Sequence, residues 1–135
     1  MAEKEAKDNN YEDNGKVISG ELRVKLVQAN KLPSEFFDKT DAYVKIQLND
    51  EKQVSKVVND TVNPIFNEEF VFQLKDQPIN QKLRFQIFDK DIGTDDFICG
   101  ALKGIQKVLE TPETWFWTDE PLSLFDNKDK RIKAA

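Results

Sequence analysis

The feature that most constrains this chain is a set of short runs in which apolar and polar residues alternate at every second position. Glu21-Leu22-Arg23-Val24-Lys25-Leu26 puts Leu22, Val24 and Leu26 on one side, and Tyr43-Val44-Lys45-Ile46-Gln47-Leu48 does the same with Val44, Ile46 and Leu48. Successive side chains of an extended backbone point to opposite faces, so this period suits a half-buried strand and would scatter the apolar residues around a helix. Two further faces carry bulkier side chains: Phe70, Phe72 and Leu74, then Leu83, Phe85 and Ile87. A shorter strand is expected around Gln53 to Val58. Asn49-Asp50-Glu51 reads as a turn, and Thr61-Val62-Asn63-Pro64 as an edge or corner, because proline fixes φ and offers no donor. Strands at this spacing, with polar turns between them, predict an all-β antiparallel sandwich rather than a helical bundle or a βαβ fold. Ile105, Val108 and Leu109 predict one short helical turn. A further strand is expected over Thr114-Trp115-Phe116-Trp117, with Leu122 and Leu124 continuing the apolar contact, and Arg131-Ile132-Lys133 supplies a brief closing strand.

Length bounds the domain count, since 135 residues with 39% apolar content support one hydrophobic core but hardly two. Residues 1–18 hold much charge and almost nothing to bury, so they read as a flexible polar arm, and residues 19–135 as the domain. No apolar run is long enough to span a bilayer and the first residues lack the apolar stretch of a signal peptide, which predicts a cytoplasmic chain. The single cysteine, Cys99, lies in an apolar stretch and reads as a buried structural thiol in a reducing compartment. The chain contains no histidine, which removes serine–histidine and cysteine–histidine nucleophile pairs and imidazole-based zinc sites. Formal net charge is −5 without any dense Lys/Arg run, so nucleic acid is not an expected partner.

That charge is concentrated. Glu35, Asp38 and Asp41 fall between the first two strands, and Asp89, Asp91, Asp95 and Asp96 follow the strand ending at Phe88, interrupted only by Lys39 and Lys90. Setting these residues aside leaves 18 acidic and 18 basic residues of the 25 and 20 in the chain, so the two stretches account for the whole net charge. Carboxylates gathered at one end of a sandwich repel one another unless they hold protons or cations. Calcium suits such a place, because it takes six to eight oxygens at flexible distances from irregular loops, whereas magnesium demands stricter octahedra. Asp89-Lys90-Asp91 begins like an EF-hand loop, but the sixth position is Thr94 where glycine is needed and the twelfth is Gly100 where glutamate should chelate. The ligands would have to come from two separate loops.

Several segments in order carry a specific resemblance: Gly20-Glu21-Leu22-Arg23-Val24, then Asp41-Ala42-Tyr43-Val44-Lys45, then Asn63-Pro64-Ile65-Phe66-Asn67-Glu68-Glu69-Phe70, then Phe88-Asp89-Lys90-Asp91 and Asp95-Asp96-Phe97-Ile98. From about Gly20 to Gly100 the chain resembles the C2 domain family. The resemblance implies an eight-stranded antiparallel β-sandwich whose first and third apical loops hold calcium through aspartates and touch membranes. Because the chain opens on the strand Glu21 to Gln28, it resembles the circularly permuted, type II topology found in phospholipases. By position, Glu35 stands where the first loop usually has aspartate, Asp41 takes the second acidic position, and Asp89 and Asp91 match the third-loop pair. Asp95 and Asp96 compete for the last ligand position, with Asp96 favoured and Cys99 read as an extra residue before Gly100. Ala42 replaces the usual proline after Asp41. Asp38 reads as a solvated loop charge.

Phe36 and Phe37 in the first acidic loop and Ile92 in the third put apolar side chains at the end that carries the acids, as a surface meant for contact would. Burying three such side chains in lipid is worth about 5–9 kcal/mol at most, and bringing the loops' net charge to an anionic leaflet costs about 5 kcal/mol. The terms nearly cancel, so bound calcium would decide the outcome by electrostatics. Lys45, Lys52 and Lys56 lie on neighbouring strands and make a modest basic face for an anionic headgroup, or simply a solvated one. The expected function is therefore calcium-dependent docking of a non-enzymatic, monomeric module on anionic phospholipid. The alternative is a calcium-independent scaffold or protein-interaction subunit. A carboxylate-pair glycosidase is a third class, disfavoured because these acids sit beside apolar tips rather than in a cleft.

Overall fold

In the computed structural model, residues 16–33, 40–111, 113 and 115 are described, together with the backbone of 124–125 and 131–132. The alternating segments are strands: β1 (Val17–Gln28), β2 (Ala42–Leu48), β3 (Glu51–Val54), β4 (Ile65–Pro78), β5 (Lys82–Asp89) and β6 (Asp96–Gly104), followed by a helical turn, α1 (Gln106–Leu109), and the two-residue strands β7 (Leu124–Phe125) and β8 (Arg131–Ile132). All pairings are antiparallel. One sheet is the long β1–β4 pair; the other runs β3-β2-β5-β6-β7-β8.

The two sheets share one core. Leu22 of β1 and Phe66, Phe70, Phe72 and Leu74 of β4 meet Val44, Ile46 and Leu48 of β2, Leu83 of β5 and Cys99 of β6, with Val24, Leu26, Phe85 and Ile87 packed against them. Register explains the match to the alternation, since Leu22 faces Phe72 and Val24 faces Phe70 across one sheet while Val44 faces Ile87 and Ile46 faces Phe85 across the other. Phe66, at the corner after Pro64, is as fully buried as Phe72. Cys99 is buried, which pushes its thiol up to about 11.

Several expected boundaries move. β1 starts at Val17, so the strand takes in the last two residues of the segment read as an arm; residues 1–15 lie outside the described set. The expected Gln53–Val58 strand is displaced towards the hairpin: Glu51 already pairs with Leu48, the strand stops at Val54, and Val58 makes only an isolated bridge with Ala42. The cause is the tightness of the turn, in which Asn49 takes a φ of 54°, a conformation that asparagine tolerates better than most residues. Its side-chain amide donates to Gln77 and Gln81, each at 2.6 Å. The corner before Pro64 forms as expected: Asn63 Oδ1 accepts the Lys31 amide at 2.8 Å, and Thr61 Oγ1 accepts the Asn63 amide at 2.9 Å. Trp115 is outside any strand, and the rest of the segment expected at 114–117 is outside the described residues.

The open edge of β3 is tied to β4 of the other sheet by side chains. Gln53 Nε2 donates to the Val71 carbonyl at 2.6 Å, and the Lys56 amide donates to Glu68 Oε2 at 2.8 Å. The Val71 carbonyl of β4 and the Lys56 amide just past β3 are thus satisfied by side chains. Replacing Phe72 with alanine is expected to cost about 3–5 kcal/mol in urea unfolding, whereas Val54→Ala, at a side chain 52% exposed, is expected to stay within about 0.5 kcal/mol.

Candidate functional site

The start of β2, the end of β5 and the start of β6 lie side by side, because Asp89 pairs with Ala42 on one flank and with Asp96 on the other. Asp89, 48 positions from Asp41 in sequence, is therefore its spatial neighbour, and Asp96 adjoins Asp89 from the other side. The contact is direct: the Asp41 amide donates to Asp89 Oδ1 at 2.9 Å, and the Lys90 amide donates to the Asp41 carbonyl at 2.8 Å. Asp41 Oδ1 in turn accepts the amide of Asp60 at 2.9 Å. The Asp91 carboxylate accepts the amide of Ile92 at 2.7 Å.

A β-bulge sets the β6 side of this arrangement. Ile87 faces Cys99 but Phe88 faces Phe97, so Ile98 is the unpaired extra residue. Without the bulge Phe97 would lie opposite Asp89, and with it Asp96 takes that place while Phe97 stands beside Phe88. Gly100 is required nearby, since a Cβ there would come within 2.9 Å of the Phe85 carbonyl oxygen.

Asp95 behaves differently from its neighbours. Its Oδ2 accepts the Tyr43 hydroxyl, its Oδ1 accepts the Asp91 amide at 3.0 Å, and the Lys90 ammonium lies 3.7 Å from Oδ2. The Tyr43 hydroxyl, the Asp91 amide and then Lys90 hold the Asp95 carboxyl below the usual range. On the other side of this contact, burial first and then Asp95 push the Tyr43 phenol up to about 12. Both oxygens of Asp95 are thus occupied by the protein's own donors. Asp41, Asp89 and Asp91 each have one oxygen on a backbone amide, and their second oxygens, like the whole Asp96 carboxylate, have no hydrogen bond among the described residues.

These are hard oxygen donors on irregular loops, the chemistry that calcium accepts and softer metals do not prefer. Among the described residues no three acids are gathered closely enough to enclose an ion. Glu35, Phe36, Phe37 and Asp38 lie outside the described set. Ile92 is 99% exposed at the loop tip. Asp60 was not anticipated from sequence; its only signal is a polar turn before Pro64.

On the outer face of the larger sheet Tyr43 stacks on Phe88 with ring centroids 5.5 Å apart, Phe97 meets Phe88 edge-on at 5.5 Å, and the Lys45 ammonium lies 4.7 Å from the Phe88 centroid. Lys52 and Arg84 flank Gln47 in the register, so Lys45, Lys52 and Arg84 share this face by strand alternation. Arg84 was missed because its distance in sequence hides a direct cross-strand relation. Lys56 follows the end of β3, with its amide turned to Glu68.

The C2 domain family profile matches residues 20–119, most of the chain. The chain belongs to the C2 domain family. Among its relatives is Protein C2-DOMAIN ABA-RELATED 11 of Arabidopsis thaliana, 40% identical over 91 residues that make up 67% of this chain and 54% of that protein. Synaptotagmin-5 of Arabidopsis thaliana is 28% identical over 109 residues, 77% of this chain and 19% of its own length. The matched region thus spans about half of the first relative and a fifth of the second. The C2A domain of plant Extended Synaptotagmin 1 superposes with a TM-score of 0.63 at 27% identity, covering 84% of this chain and 87% of that one.

The Tyr43 phenol of this C2 domain gives a measurable signature. The ordinary phenol pKa is about 10, and a folded value raised to about 12 means that the unfolded chain ionises first. The contribution is fully present below pH about 10 and is lost as pH rises towards about 12. Ultraviolet titration is expected to show a tyrosinate step near pH 12 that disappears in Tyr43→Phe.

Proposed function

We propose that this C2 domain is a calcium-dependent, non-enzymatic module that docks peripherally on anionic phospholipid from the cytoplasmic side. The observation that carries this reading is the placement of partly unpartnered carboxylates at one end of the sandwich next to the fully exposed Ile92. Asp41, Asp89, Asp91 and Asp96 would hold the ion, with Glu35 contributing from the first loop. Asp95 is the weaker choice, because its oxygens already have donors.

The backbone amides of Asp41, Asp60 and Ile92 orient the carboxylates while leaving oxygen capacity free, and an ion would still have to draw the acids together. Bound calcium supplies positive charge that offsets the repulsion between the acidic loops and an anionic leaflet. Ile92, together with Phe36 and Phe37, then supplies the apolar contact; full burial of Ile92 is worth about 1.5–3 kcal/mol. Lys45, Lys52 and Arg84, with Lys56 beyond the strand, form the basic face to which a phosphorylated headgroup would add. Among the described residues no helix is long and apolar enough to cross a membrane, which is consistent with attachment through the loops.

Two observations favour a second reading, a calcium-independent protein-interaction module or subunit of a larger assembly: Lys90 already provides a cation beside Asp95, and the described acids do not close into a cage. Calorimetric titration separates the two, since saturable heat with calcium supports the first and its absence supports the second.

In sedimentation with phosphatidylserine-containing vesicles, the chain is expected to pellet with calcium and remain soluble with chelator; equal binding in both conditions would sink the proposal. Asp89→Asn combined with Asp91→Asn is expected to abolish the calcium-dependent fraction. Ile92→Ser is expected to weaken vesicle binding about tenfold while leaving the thermal midpoint unchanged, because the side chain it removes packs against nothing in the free protein.

A further inference from the structure

The third apical loop, residues 89–96, is tied to the sheet by one carboxylate that the calcium reading does not need. Asp95 bridges the sheet and the loop. Its Oδ2 accepts the hydroxyl of Tyr43, a residue 8% exposed on β2 and stacked on Phe88, and its Oδ1 accepts the backbone amide of Asp91 out in the loop at 3.0 Å. Lys90 lies 3.7 Å from the same Oδ2, so the charge of Asp95 is offset within the loop without a metal. Packing on the Phe88 ring restrains the phenol, and a restrained phenol restrains the carboxylate. Through Asp95 the backbone of Asp91 is thus referenced to the sheet rather than free to follow the loop.

We propose that Asp95 is a positioning residue and not a metal ligand: with Tyr43 it forms a strut that holds the Asp91 backbone beside the end of β5 before an ion arrives. The strut belongs to the metal-free chain, and only its benefit to calcium rests on the proposed function. A loop already held near its binding geometry loses less freedom on binding, so breaking the strut weakens the ion's affinity without removing a ligand.

The test combines calorimetric calcium titration with native-state hydrogen exchange, on the full chain and on Tyr43→Phe, Asp95→Asn and the double variant. Tyr43→Phe keeps the ring stack and deletes only the hydroxyl. Each single variant is expected to raise the calcium Kd about tenfold, the scale of losing one hydrogen bond to a charged group. The double variant is expected to be no worse than the weaker single, because both changes cut the same strut. Without metal, the Asp91 amide is expected to exchange faster in both single variants while the amide of Phe72 in β4 exchanges as before, which separates a local effect from a loss of global stability. If Asp95→Asn weakens calcium binding while Tyr43→Phe leaves both the affinity and Asp91 exchange unchanged, Asp95 is a ligand and the strut is overturned. If the unaltered chain gives no saturable heat with calcium, the calcium reading fails, and exchange alone decides the strut: faster Asp91 exchange in Tyr43→Phe upholds it, and unchanged exchange overturns it.

Discussion

The loop end of this domain depends on the antiparallel register that places β5 between β2 and β6. Once Asp89 is held opposite Ala42 and Asp96, the acids can no longer be treated as separate loop charges. Asp41 donates its amide to Asp89, Asp60 donates its amide to Asp41, and Lys90 returns its amide to the Asp41 carbonyl. Their donors are backbone amides, which carry no ionisable charge. They orient the carboxylates of Asp41 and Asp89 without neutralising them.

The same register divides labour between the two faces of the larger sheet. Inward residues of β2 and β5 complete the core with the aromatics of β4, so the sheet can hold its shape without help from the loops. Outward residues build the Tyr43–Phe88–Phe97 ladder, on which Lys45 lies. That ladder is a packed aromatic shelf. It lets a single hydroxyl on β2 reach Asp95 and restrain the third loop, while Ile92 at the tip remains free to contact another surface.

Much of this was legible in the alternation. The inward sets of the four main strands, the corner at Pro64, the helical turn at Gln106–Leu109, and the one-core organisation follow from period, proline chemistry and length. The family was legible in motif order. What escaped was cross-strand and local. Arg84 joins the basic face, Asp60 supports Asp41, β3 starts at the hairpin turn, and Lys56 leaves the strand. Each depends on which residues of distant segments meet, a relation that no window along the chain contains.

By itself, the sequence determined the β character and the inward faces, because these follow from side-chain alternation and hold in any register. Only the tertiary structure decided which acids share work. A bulge at Ile98 shifts β6 by one position, and since side chains alternate, that single step brings Asp96 rather than Phe97 opposite Asp89 and puts Phe97 beside Phe88. Asp95 and Asp96 are adjacent and chemically identical in the sequence. Their difference, one engaged by Tyr43 and the other open, arises from where the strand ends in space.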